Sequence, residues 1–222
     1  MTGIGRLEKG KIDEMFKKII EIASSKDVLE KYLYISLKHK DRCDDEITRP
    51  NKYLEDINDV MSLELSTSDG FLGRLSMKKV LLQMAGMSVE EAWEIARANT
   101  INKEAINPYA DELLEAAEVV EDDLQSIKEI KKIVKEVCGN MTVITSKSKY
   151  DGAGAIYATE KLKQFANGSR LLIIPSSIHE LIAMRYEVGM DIVELNKIIR
   201  NTNKTGYENN EVLSDRAYVI DF

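Results

Sequence analysis

Pro175, Ser176, Ser177, Ile178, His179 and Glu180 are consecutive, which sets hydroxyls, an imidazole and a carboxylate side by side along the chain. Histidine occurs at two positions in all, 39 and 179. A nucleophilic site needs a serine, its base and an orienting acid to converge on one point beside an oxyanion hole. Strand alternation sends His179 and Glu180 to opposite faces, and no G-x-S-x-G elbow is present. A hairpin accounts for more: Pro175 ends one strand, the serines bond the turn, and a second strand begins near Glu180. The expected role is therefore structural. Ser176, Ser177 and His179, joined by Asp215 through folding, form the alternative site, that of a small hydrolase or transferase.

Other chemistry has weaker support. Gly152 and Gly154 lie between a strand and a helix, where a phosphate loop would sit, but position 157 is Tyr and no Walker lysine follows. Two histidines and two cysteines without ligand spacing give no metal site. Asp41, Asp44, Asp45 and Glu46 lack the alternation and central glycine of a calcium loop. No catalytic set, metal or cofactor is assigned.

The most unusual charge feature is an acidic run. Asp111, Glu112, Glu115, Glu118, Glu121, Asp122 and Asp123 occur with no basic residue among them, and Lys128, Lys131, Lys132 and Lys135 follow. Acid early and base late complements a helix macrodipole. The functional alternative is that Asp111, Glu112, Glu115, Glu118, Asp122 and Asp123 imitate phosphates and engage a basic surface on a host protein. The net charge of −7 over 222 residues argues against direct nucleic-acid binding, which needs clustered Lys and Arg.

The elements that must position these residues follow from periodicity. With 44% apolar and 31% charged residues, the chain has the balance of a soluble globular protein large enough to bury a core. The N-terminus lacks the apolar stretch of a signal peptide, and no apolar run is long enough to span a bilayer. Cys43 and Cys138 form no CxxC pair and are expected to be reduced thiols in a cytoplasmic protein.

An amphipathic helix is predicted at 12–23, strands at 31–38 and 59–66, and an irregular loop at 39–56. Asp69-Gly70 predicts a hairpin. Ser76 is expected to cap a short helix, and Ser88 with Glu91 to open a second through a capping box, with Trp93 in the core. Asn107-Pro108 predicts a helix start. Leu113, Ala117, Val120, Leu124, Ile127, Ile130, Val134 and Val137 then recur at near-heptad spacing. That seam at 113–137 needs a partner face, and a homodimer would supply one. The last third reads as strand 141–146, helix 154–166, strands 170–175 and 180–186, helix 191–201 and strand 217–222. This β-α-β-β-α-β order is ferredoxin-like. The expected class is α+β, with an N-terminal lobe at 1–107, a long helical segment at 108–139 and a C-terminal unit at 140–222.

Several stretches carry a resemblance. Pro175-Ser176-Ser177-x-His179-Glu180, Asn203-x-Thr205, and Glu211 to Asp215 with Tyr218 resemble the C-terminal half of a domain-of-unknown-function family of gram-positive anaerobes and their mobile elements. Weaker similarity extends through 53–101. The family usually has Trp-Gly where this chain has Ala85-Gly86, and more sequence at the N-terminus. The resemblance implies no chemistry. With the acidic run and the absence of an assembled catalytic set, it leads to the expectation of a non-enzymatic macromolecule-binding protein of a phage or mobile element. One version is an inhibitor of a nucleic-acid-guided defence nuclease.

Overall fold

A computed structural model describes residues 9–67, 70–117, 132–206 and 210–222. Helices α1 (Lys9–Ala23) and α2 (Lys26–Tyr32) lead into strand β1 (Leu33–His39) and a 3₁₀ turn at Lys40–Arg42. Then come β2 (Thr48–Pro50), β3 (Ile57–Thr67), β4 (Gly70–Ser76), α3 (Lys79–Met84) and α4 (Val89–Asn102). The rest runs β5 (Glu104–Pro108), α5 (Tyr109–Ala117), α6 (132–138), β6 (Met141–Ser146) and a 3₁₀ segment at Gly152–Tyr157. It ends with α7 (Thr159–Ala166), β7 (Leu171–Pro175), β8 (Leu181–Arg185), α8 (Ile192–Gly206) and β9 (Tyr218–Ile220). The class is α+β, with two antiparallel sheets.

The chain divides into two compact units: Met1–Tyr34, Asp45–Ile47 and Met61–Asn99 in the first; Ile35–Asp44, Thr48–Val60 and Thr100–Phe222 in the second.

In the first unit, β4 pairs with β3 from Ser62↔Ser76 to Thr67↔Gly70, with an irregularity between Leu65 and Ser66. A hairpin is as expected here, but Gly70 is already the first residue of β4, and Asp69 lies outside the described residues. Ser76 is the last residue of β4, not a cap: α3 follows Lys78, whose side chain makes no capping bond. Ser88 does cap α4, its hydroxyl accepting from the Glu91 N–H at 3.1 Å. Leu29, Leu33, Met61, Leu63, Met77, Leu82, Trp93 and Ala96 are buried here. In α1, Ala23 is buried, whereas Phe16 and Ile20 are exposed.

In the second unit, the five-stranded sheet has the order β5-β6-β8-β7-β9. The chain order β6-α7-β7-β8-α8-β9 is the one expected, and β8 lies between β6 and β7 as in a split βαβ unit. The last strand departs from the ferredoxin-like placement: β9 lies beside β7, and β5 occupies the position next to β6. Strand β5 also corrects the helix start expected at Asn107-Pro108. Both residues pair with β6, as Asn107↔Val143 and Pro108↔Thr142. A proline without an N–H is tolerated at the end of an edge strand, and α5 begins only at Tyr109.

Two further corrections concern local structure. Residues 39–56 are not wholly irregular, since β2 pairs with β3 from Thr48↔Val60 to Pro50↔Asn58. The single helix expected at 154–166 is a buried 3₁₀ segment followed by α7. On the sheet, Ile199 of α8 packs with Leu172 and Ala217, and Ile174, Met184, Leu195 and Val219 close around them. Asp191 caps α8, accepting from the Glu194 N–H at 2.9 Å.

Candidate functional site

The Pro-Ser-Ser-x-His-Glu stretch joins β7 to β8, and Pro175 pairs with Leu181 across the ladder. Its polar groups are used within the turn and against neighbouring segments. Ser177 Oγ accepts from the His179 N–H at 3.0 Å, and Ser176 Oγ donates to Glu180 Oε1 at 3.3 Å. His179 Nδ1 accepts from the buried Asp151 N–H at 2.9 Å, and its Nε2 faces Glu211 Oε1 at 3.6 Å. The His179 carbonyl accepts from the Gly152 N–H at 3.0 Å and the Thr145 hydroxyl at 2.8 Å. The stretch thus anchors the 3₁₀ segment. Asp215 belongs to a different set: its Oδ1 accepts from Asn203 Nδ2 at 2.8 Å.

Glu118, Asp122 and Asp123 lie outside the described residues. The described ones face lysines. Lys149 Nζ lies 2.7 Å from Glu112 Oε2 and 3.0 Å from Glu115 Oε2, and Lys135 Nζ lies 4.0 Å from Asp111 Oδ1. The lysine and a bond from Asn107 hold the Glu112 carboxyl below its ordinary range. Leu113 and Val137 of the near-heptad seam are exposed, whereas Ala110 and Leu114 are buried.

Sequence reasoning missed a polar cleft of about 410 Å³ in the second unit. Its lining includes His39, Asp56, Arg42, Arg200, Asp215 and Arg216. The end of β1 supplies His39, the turn after it Asp41 and Arg42, the loop before β3 Asp56, and α8 Arg200. Residues 212–216, the approach to β9, complete it.

Asp56 is its electrostatic centre. The Tyr218 hydroxyl donates to Asp56 Oδ1, and the Ser214 hydroxyl donates to Asp56 Oδ2 at 3.0 Å. His39 Nε2 and Arg216 Nε each stand 3.7 Å from the same Oδ2. His39 Nδ1 accepts from the Asp41 N–H at 3.3 Å, which leaves the ring proton on Nε2, toward Asp56. Arg216 lies over the Tyr218 ring at 5.0 Å and meets Glu55 Oε2 through Nη2 at 3.0 Å. Its Nε is buried and has no hydrogen-bond acceptor among the described residues. Arg42 Nη1 donates to the Val212 carbonyl at 2.8 Å. Three guanidinium groups on one cleft match carboxylate or phosphate oxygens, which they can bind in pairs. Ser214 is buried and its proton goes to Asp56, so it is placed as a structural hydroxyl.

A family model matches residues 20–221. The chain belongs to the family of unknown function DUF5688. Comparison with curated proteins and with solved structures gives no match. The DUF5688 match extends beyond the stretches that carried the resemblance and takes in His39, Asp41 and Arg42. Val212 to Asp215 of the Glu-Val-Leu-Ser-Asp stretch form one wall of the cleft. Among the described residues, no group of three or more His, Cys, Asp or Glu side chains is gathered for a metal. No helix among them is long and apolar enough to cross a membrane.

Proposed function

We propose that this DUF5688 protein is a non-catalytic binding protein, and that its recognition site is the arginine-lined cleft of the second unit, which takes an anionic group. The three guanidinium groups of Arg42, Arg200 and Arg216, gathered on one cleft from distant parts of the chain, carry the reading. An oxyanion between them would take charge-assisted bonds in pairs. The test is calorimetric titration of the full chain with inorganic phosphate. Binding that weakens about tenfold in Arg216→Gln supports the reading; an unchanged affinity in the variant removes the cleft from it.

A second reading is a macromolecular partner with a basic surface, with inhibition of a host defence nuclease as its specific form and a phage or mobile element as its setting. The exposed carboxylates Asp111 and Glu115 and the net charge of −7 favour it. The lysines facing those carboxylates weaken phosphate mimicry. Capture from host lysate should be lost on charge reversal at Glu115, Glu118 and Asp122. Undiminished capture would separate any partner from the acidic run.

A further inference from the structure

We infer that the ligand of the cleft is a phosphorylated sugar or polyol, an inference that rests on reading the cleft as an anion site. Both signs of charge line the cavity. Beside Arg42, Arg200 and Arg216 stand the exposed carboxylates of Asp41 and Asp215. A bare anion would meet attraction from the first group and repulsion from the second. A ligand that joins a phosphate to several hydroxyls satisfies both, because hydroxyls donate to carboxylates while phosphate oxygens accept from guanidiniums.

Size points the same way. The volume of about 410 Å³ lies at the lower end of the roughly 300–1,000 Å³ typical of small-molecule sites. That is far more than one tetrahedral anion fills. Apart from Val212 and Leu213, which are buried, the lining is polar or charged, so a ligand rich in hydroxyls fits this wall.

The experiment titrates the full chain with inorganic phosphate, ribose, ribose 5-phosphate and free serine, in wild type, Arg216→Gln, Arg200→Gln and Asp215→Asn. Ribose 5-phosphate is expected to bind about tenfold or more tighter than phosphate. Asp215→Asn should erase most of that advantage without weakening phosphate. Either arginine variant should weaken both phosphorylated probes; Arg200 is exposed, so its substitution reads binding even if Arg216→Gln folds poorly. Equal affinities for phosphate and ribose 5-phosphate would overturn the sugar while leaving the anion site standing. Tighter binding of serine would also overturn it, in favour of a zwitterion. No binding of any phosphorylated probe would overturn the anion site itself.

Discussion

The Tyr218 hydroxyl donates to the carboxylate of Asp56, a residue 162 positions earlier, and so ties the last strand to the loop before β3. Ser214 reinforces the tie from the other carboxylate oxygen. Bonds to a charged acceptor contribute about 1.5–3 kcal/mol. Tyr218→Phe keeps the ring beneath Arg216 and removes only the donor. It is expected to lower unfolding free energy by about 1–2 kcal/mol in urea denaturation. No change would mean that Ser214 alone satisfies Asp56.

A second prediction concerns pH. Asp59 is fully buried and accepts from Arg49 Nε at 3.0 Å, Asn51 Nδ2 at 2.7 Å and the Tyr157 hydroxyl at 2.6 Å. Burial outweighs these donors, so its carboxyl is raised above 3.8, and burial with the Asp59 charge raises the Tyr157 phenol as well. The folded state therefore holds the Asp59 proton more tightly than the unfolded chain. Stability from this group falls as pH rises from 3.8 through the folded value. Urea midpoints of wild type relative to Asp59→Asn should decline with pH across that window. A difference that is flat or rises with pH would contradict the assignment.

The 3₁₀ segment admits no added methyl groups. A Cβ at Gly154 would collide with the Ile35 carbonyl, and one at Gly152 would lie 2.5 Å from Thr145 Oγ1 and 2.8 Å from the His179 carbonyl. These obstacles are largely backbone. Gly154→Ala and Gly152→Ala are each expected to cost about 3 kcal/mol or more, at the upper end for overpacking. Thermal or urea unfolding measures it, and a loss under about 1 kcal/mol would show that the segment can shift.

His179 makes a comparable prediction. Asp151 has a φ of 53° and donates its N–H to His179 Nδ1. His179→Phe leaves that buried N–H without its acceptor, at an expected cost of about 1–3 kcal/mol. Ser177→Ala removes one turn bond and should cost about 1 kcal/mol. Loss of a hydrolytic activity in Ser177→Ala without loss of stability would instead support the hydrolase alternative.

The elements with strong local patterns were legible in the sequence. The alternation of β1 and β3, the β3–β4 hairpin, the Ser88 and Asp191 caps of α4 and α8, and the β7–β8 turn all rest on short-range chemistry. Strand β5 was hidden because Asn107-Pro108 is also a good helix start, and only pairing with β6 decides between the two. The position of β9 beside β7 is likewise a long-range choice that element order does not encode. The cleft was illegible for the same reason. His39, Asp56, Arg200 and Arg216 are scattered singly along the chain, without a motif spacing, and folding alone gathers them. The one signal available was the Glu-Val-Leu-Ser-Asp stretch, whose Ser214 and Asp215 line the cavity.

The most direct measurement of the central claim is a backbone amide chemical-shift map of the full chain during titration with inorganic phosphate. The anion-site reading predicts saturable shifts concentrated at Asp41, Arg42 and Ser214 to Arg216, displaced to about tenfold higher phosphate in Arg216→Gln. Shifts centred elsewhere, such as around Lys149 or α7, or none at all at saturating phosphate, would contradict it.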